Sequence, residues 1–377
     1  RRFKHAVPAG YKNQSHKAVA HEFFNAAVGD HGQAGHRTLG QAVGLTGGRH
    51  GRHHAAGAFH GVLVGANHNG IARLDRRKHV ADGGGNRVGA GAEGGYNAHG
   101  HTHFKHVLRG IGAQVTELYS DPDGTFPNHH PDPTKRENLV KLIDTVIKEG
   151  ADLGVGFDGD SDRIGVVDDK GEVIWGDRLM ALYWREILPK HQGAVAICEV
   201  KSSMALPEEV EKLGGKPIWW NSGHSLVKAK MREEHALFSG EVSGHMFFAD
   251  EFFGFDDGFY AAGRLCRILS HSRQSLSQIM TEIPLYPSTA ETRYDCPDDL
   301  KFSVVEQVKD RALEEGLSAI TVDGIRIIYD NGWGLVRVSN TQPTLVARCE
   351  GRTSAALEEI CDDMKRRLKE AGSPDFE

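Results

Sequence analysis

Residues 153–167 read Leu153-Gly154-Val155-Gly156-Phe157-Asp158-Gly159-Asp160-Ser161-Asp162-Arg163-Ile164-Gly165-Val166-Val167. Leu153 to Phe157 form an uncharged run of buried-strand length, and Ile164 to Val167 resume one. Between them three carboxylates alternate, so a loop leaving the C-terminal end of a strand gathers Asp158, Asp160 and Asp162 around one point. An all-oxygen donor set suits Mg²⁺, which keeps an octahedral shell and shares it with phosphate, and Arg163 offers a guanidinium able to pair a phosphate oxygen. An EF-hand is excluded: the DxDxDG order is absent, no Glu closes a twelve-residue loop, and a strand follows at once. A solvated acidic turn is the plain alternative.

Working outward, the chain on either side reads as alternating helices and strands. Upstream, Thr134 and Glu137 have capping-box spacing, and Leu139, Val140, Leu142, Ile143, Val146 and Ile147 supply an apolar helical face that Gly150 stops. Downstream, strand candidates at 194–200 and 216–220 alternate with helices near 176–188, 205–213 and 225–233, the pattern of a parallel sheet. After Pro284 and Pro287 the order changes to four successive strand candidates, 319–323, 325–330, 334–339 and 344–350, closed by a helix over 354–370. The fold class expected is therefore α/β and multidomain: mixed or parallel α/β domains, then a C-terminal antiparallel α+β domain.

The first 106 residues differ in kind. They hold 15 of the 22 histidines and 21 of the 46 glycines, with 14 Lys and Arg against 5 Asp and Glu, whereas 107–377 hold 31 against 46. Stretches such as GGRHGRHHAAGAFHG (47–61) carry little periodicity, and the segment is expected to be poorly ordered, as an out-of-frame stretch fused to a genuine coding sequence would be. Metal or nucleic-acid binding by a basic, His-rich extension is the alternative, but HExxH and Cys-supported zinc spacings are absent, as are interleaved aromatics. No apolar run reaches the roughly 20 residues of a membrane span. Five scattered cysteines without CxxC and without a signal-like start fit a reducing cytoplasm.

Two further motifs carry chemistry. Arg337-Val338-Ser339-Asn340-Thr341 places a guanidinium, two hydroxyls, an amide and backbone N–H groups within one turn, which makes a phosphate nest; a surface turn rich in capping residues is the alternative. Glu241 and Ser243 can accept from and donate to vicinal sugar hydroxyls, as any exposed strand end can. His245 has the ordinary range for a general base or acid near neutral pH, and a structural histidine is the other reading.

The acidic loop, written Gly156–Arg163, resembles the metal loop of the α-D-phosphohexomutase family of phosphomannomutases and phosphoglucomutases. Further segments resemble that family in order: DPDGTFPNHH (121–130), Glu199-Val200-Lys201-Ser202-Ser203, Gly223-His224-Ser225-Leu226-Val227-Lys228, Gly240-Glu241-Val242-Ser243-Gly244-His245, Asp257-Gly258, and Arg337 to Thr341. The resemblance covers about 107–377. It implies phosphoryl transfer between the C1 and C6 oxygens of glucose or mannose phosphates, through a hexose 1,6-bisphosphate, with Mg²⁺ held by Asp158, Asp160 and Asp162. Arg163, Lys201 and His245 would be the catalytic side chains. His224, Glu241 and Ser243 would bind sugar, and Arg337, Ser339, Asn340 and Thr341 the distal phosphate. The domains implied are 107–178 (remainder of a second domain), 179–285 (third) and 286–377 (fourth), with hexose phosphates as partners and neither membrane nor nucleic acid.

One departure matters. The family carries its phosphoserine in a Thr-Ala-Ser-His-Asn-Pro loop upstream; Gly61–Gly70 comes nearest, with Ala66, His68 and Asn69 in matching places, but Asn67 replaces the nucleophile and Gly70 the proline, and the stretch from there to the acidic loop is too short for a whole second domain, so the match reads as a chance similarity. An amide nitrogen cannot carry the phosphate. The expectation is therefore a phosphohexomutase with low turnover, and the alternative a noncatalytic sugar-phosphate-binding remnant.

Overall fold

In a computed structural model the structure describes residues 105–110, 112–119, 123, 125–339 and 341–374, together with the backbone of 87–92. They fall into two compact units. One runs through Ile174 and takes in Glu251–Phe253 and Asp257–Met280; the other comprises Trp175–Asp250, Gly254–Asp256 and Thr281–Glu377.

The first unit is built on a five-stranded sheet: β1 (Arg87–Ala92), β2 (Gln114–Leu118), β3 (Leu153–Phe157), β4 (Ile164–Asp168) and β5 (Val173–Ile174), in the order β2-β1-β3-β4-β5. β1 pairs in parallel with β2 and β3, whereas β3–β4 and β4–β5 are antiparallel. Every residue of β3 and β4 is buried, as their uninterrupted apolar pattern predicts. Helix α1 (Val140–Glu149) covers the sheet with Leu142, Ile143 and Val146 and stops at Gly150.

Three expectations differ here. Arg87–Ala92 is a strand inside the segment for which no packed element was expected; its sequence RVGAGA carries almost no β-branched signal, and only pairing on both edges identifies it. The rest of that segment, residues 1–86 and 93–104, lies outside the described residues, as do Gly61–Gly70. The capping box does not form, because Asp132 Oδ1 accepts from both the Thr134 N–H (3.1 Å) and Oγ1 (2.6 Å); a 3₁₀ turn follows and α1 begins only at Val140. Of the helix face, Val140 and Ile147 are exposed.

The second unit carries two sheets. β6 (Val195–Glu199) pairs in parallel with β7 (Lys216–Trp220) and β8 (Phe238–Gly240), and β9 (Met246–Phe248) returns antiparallel to β8, giving the order β7-β6-β8-β9. Helices α2 (Gly176–Ile187), α3 (Ala205–Lys212) and α4 (His224–Glu233) accompany these strands. The β8–β9 hairpin has no signature in the sequence, since three-residue strands are too short to show a period. The second sheet is antiparallel, β10 (Thr292–Asp295), β14 (Thr344–Gly351), β13 (Gly332–Val338), β12 (Ile325–Tyr329) and β11 (Ser318–Ile320) in that order. It packs on the later helices Lys301–Glu314 and Ser354–Glu370 around Val304, Val308, Ile327, Val336, Leu345, Ile360 and Met364.

Two helices that come after β9 and before β10 in sequence belong to the first unit: α5 (Gly258–Ser270) and α6 (Leu276–Met280). α5 joins the first unit because the Phe259 ring meets Phe157 edge-on (centroids 4.8 Å) and the Gly258 N–H donates to Ser161 O (3.0 Å). The helices that follow are α7 (Lys301–Glu314) and α8 (Ser354–Glu370), the latter with its predicted bounds and an N-cap bond from Ala356 N–H to the Thr353 side chain. Among the described residues no helix is long and apolar enough to cross a membrane, and all five cysteines are free thiols.

Candidate functional site

In the first unit the acidic loop is the tip of the β3–β4 hairpin, closed by the Phe157–Ile164 pair. The alternating spacing does bring the carboxylates together: one oxygen from each of Asp158, Asp160 and Asp162 lies within 4.8 Å of the others. Asp158 is buried and held twice by Arg163, whose N–H reaches Oδ1 (3.1 Å) and whose Nε reaches Oδ2 (2.7 Å), while Arg163 Nη1 approaches Asp132 (3.4 Å). Burial alone would lower the Arg163 pKa, but Asp158, Asp132 and Asp162 outweigh it and raise it, so the guanidinium stays charged. Ser161 sits in the left-handed region (φ 66°), which turns the loop sharply. Gly258 lies against that turn so closely that a Cβ there would stand 2.8 Å from Ser161 O and 2.9 Å from Arg163 O. The donor set is all oxygen and the carboxylates converge, so these residues fit a small divalent cation.

In the second unit the loops expected to meet sugar and phosphate interlock. The Glu241–His245 segment is the tip of the β8–β9 hairpin, with Glu241 N–H on His245 O (2.9 Å). Glu241 is 5% exposed; its Oε1 accepts from the Gly223 N–H (2.7 Å) and its Oε2 lies 3.1 Å from His245 Nδ1, which is 3.0 Å from Ser243 Oγ. Burial raises the Glu241 pKa, but the hydrogen bond and charge of His245, the Gly223 N–H and the Lys201 charge together hold it below the usual carboxylate value. Gly223 has φ 123°, a conformation other residues avoid, and this is what aims its N–H at Glu241 as α4 begins. The His224 ring stacks on His245 (5.5 Å) and its Nδ1 lies 3.2 Å from Asp256, which also accepts from Lys228 Nζ (2.6 Å).

Lys201 leaves the end of β6 between two carboxylates, Glu199 (3.2 Å) and Glu291 (3.1 Å). Burial would lower its pKa; the two carboxylates reverse that and raise it, so Lys201 is a fixed cation. Glu199 is fully buried, and its other oxygen accepts from the Val242 N–H (2.8 Å), tying the Lys201 loop to the sugar hairpin. Arginines of the antiparallel sheet grip that loop through three successive carbonyls. Arg326 Nη1 donates to Val200 O and Ser202 O (both 2.7 Å), and Arg348 Nη1 to Lys201 O (2.8 Å). Arg326 lies between the Trp219 and Trp333 rings (4.1 and 3.7 Å to their centroids). Burial pushes its pKa down to about 9, still high enough for it to be charged at neutral pH.

Arg337, at the end of β13, is buried. Its Nε donates to Asp323 Oδ2 (2.8 Å), which also accepts from the Ser222 N–H (3.2 Å), so the C-terminal loop and the Gly223 loop share one carboxylate. Ser339 Oγ accepts from the N–H groups of Thr341 (3.4 Å) and Gln342 (3.2 Å). Asn340 lies outside the described residues. Sequence reading thus named the loop residues but missed Asp256, Asp323, Arg326 and Arg348, none of which stands in a recognisable motif; only three-dimensional pairing identifies them.

Against this geometry the comparisons are specific. The phosphoglucomutase/phosphomannomutase alpha/beta/alpha domain II matches residues 92–171, domain III matches 175–286 and the C-terminal domain matches 291–367. The chain belongs to the α-D-phosphohexomutase family. A phosphomannomutase/phosphoglucomutase of Pseudomonas aeruginosa is 44% identical over 268 residues, 71% of this chain and 58% of that protein. A phosphoglucomutase of Neisseria gonorrhoeae is 40% identical over 312 residues, 82% of this chain and 64% of that protein. A crystal structure of a phosphoglucomutase/phosphomannomutase family protein from Burkholderia thailandensis aligns with a TM-score of 0.70 at 38% identity, covering 80% of this chain and 65% of that one. The chain therefore spans about 58% of the length of the first of these relatives.

Proposed function

We propose that this chain binds hexose phosphates and acts as a phosphohexomutase, interconverting the 1- and 6-phosphates of mannose or glucose through a bisphosphorylated intermediate. The observation that carries the reading is the network Gly223–Glu241–His245–Ser243, with Asp323 linking the Gly223 loop to Arg337. It holds an ionised carboxylate, an imidazole and a guanidinium in fixed relation on three loops. The names of the Pseudomonas and Neisseria relatives support the same reaction class.

In this reading Glu241 and Ser243 grip vicinal sugar hydroxyls, and a grip on two hydroxyls common to either orientation lets a bisphosphate rebind with its ends exchanged. Arg337, Ser339, Asn340 and Thr341 receive the phosphate that is not reacting. Lys201, kept charged by Glu199 and Glu291, neutralises developing negative charge, and Arg163 does the same beside the acidic loop. His245, oriented by Glu241, takes the proton from the attacking sugar hydroxyl and returns it in the reverse step. Asp158, Asp160 and Asp162 would hold Mg²⁺, whose charge offsets that of a transferring phosphoryl group. The domains proposed remain 107–178, 179–285 and 286–377, with a reducing cytoplasm as the compartment.

The phosphoserine loop that the resemblance expects has no intact counterpart in the sequence, which favours a second reading: hexose phosphate binding without turnover. A coupled mutase assay separates the two, run on glucose 1-phosphate and mannose 1-phosphate with Mg²⁺ and a trace of hexose 1,6-bisphosphate, alongside mass-spectrometric mapping of protein phosphate. Turnover with a phosphorylated serine supports the mutase; saturable binding with neither supports the second reading; absence of binding removes both.

A further inference from the structure

We propose that Lys301 is the positioning residue of the 339–342 loop and sets how tightly that loop holds the phosphate of a hexose phosphate, an inference that rests on reading Arg337–Thr341 as a phosphate site. Lys301 opens α7 with its side chain 7% exposed. Its Nζ donates to the backbone oxygens of Ser339 (2.8 Å) and Gln342 (3.1 Å) and pairs with Asp298 Oδ1 (2.6 Å). Those two oxygens lie on either side of the hairpin tip between β13 and β14, so one ammonium fixes both ends of the loop. The Ser339 hydroxyl fastens the interior, accepting from Thr341 and Gln342.

A loop that presents hydroxyls and N–H groups to an anion binds more tightly when its conformation is set beforehand, because less chain entropy is lost on binding. Holding the loop requires only two donors, and an amide could supply them. A buried ammonium adds a charge, and lysine is rarely buried unless something uses or compensates it. The Asp298 side chain is 74% exposed, so water screens its negative charge more than it screens the enclosed ammonium. A positive potential is left behind the loop, on the side away from water. Lys301 stands in none of the motifs that the sequence displays.

The test is equilibrium binding of glucose 1-phosphate to the full chain with Mg²⁺ present, by calorimetry, in the unsubstituted protein, Lys301→Met, Lys301→Arg and Arg337→Met, with thermal melts to establish folding. Lys301→Met is expected to weaken binding about tenfold and to flatten its salt dependence, and Lys301→Arg to restore most of the affinity. Unchanged affinity in folded Lys301→Met, or no recovery in folded Lys301→Arg, overturns the proposal. If Arg337→Met also leaves affinity unchanged, the loop is not a phosphate site and the underlying reading falls with it. If Lys301→Met does not fold, Asp298→Asn decides. Removing the screened carboxylate should tighten binding about twofold, and equal or weaker binding overturns the role.

Discussion

Glu241 is a buried carboxylate that the protein keeps ionised, and the reason lies in three partners: His245, the Gly223 N–H and the charge of Lys201. Because its folded pKa is lower than the unfolded value of about 4.5, its stabilising effect is present above that value and is lost as pH falls through the folded pKa. Glu241→Gln should therefore destabilise the chain by about 1–2 kcal/mol near neutral pH, in line with one charge-assisted hydrogen bond. The difference between the two proteins should shrink steadily below about pH 4. Urea midpoints measured across that range check this; a constant offset would show that Glu241 is not the ionised partner. Gly258 gives a second prediction at this scale. A Cβ at 2.8 Å from Ser161 O forces the acidic turn to move, so Gly258→Val should weaken Mg²⁺ binding at least tenfold, read by calorimetry against unsubstituted protein.

At the scale of elements, the grip of Arg326 and Arg348 on the Lys201 loop joins a mixed sheet to an antiparallel one through three carbonyls in a row. Arg326→Met keeps the stem between Trp219 and Trp333 but leaves Val200 O and Ser202 O without donors in a dry place. It should cost about 2–4 kcal/mol, seen as a lower urea midpoint with an unchanged slope. Such a grip could not be read from the sequence, because an arginine on a strand looks the same whether it faces water or two indoles. β3, β4 and α8 were legible for the opposite reason: each carries its own signal, an unbroken apolar run or a 3.6-residue period with a Thr cap. β1 was not, since RVGAGA has strand character only through its partners on both edges. The capping box failed because one carboxylate, Asp132, competed for the same donors. The candidate site divides along the same line. Its loop residues stand in contiguous motifs, whereas Asp256, Asp323 and Lys301 act across 14 to 101 residues of sequence.

For the whole molecule, the two compact units carry different parts of the proposed chemistry: the acidic loop lies in one, the sugar and phosphate loops in the other. A ligand stabilises the region that holds its site by RT ln(1 + [L]/Kd), about 1.4 kcal/mol at ten times Kd. Amide hydrogen exchange can locate that stabilisation, because exchange slows where opening has become less favourable. Mg²⁺ alone should slow exchange in peptides spanning 153–168, and Asp160→Asn or Asp162→Asn should abolish the effect without altering the response to sugar phosphate. Glucose 1-phosphate should slow exchange in peptides spanning 221–245 and 336–350, and Arg337→Met should abolish that response while the Mg²⁺ effect persists. Protection by Mg²⁺ that survives both aspartate substitutions would remove the acidic loop as the cation site. Protection by glucose 1-phosphate confined to peptides outside 221–245 and 336–350 would remove the Glu241 and Arg337 loops as the place where the sugar phosphate binds, leaving the family's fold without the family's site.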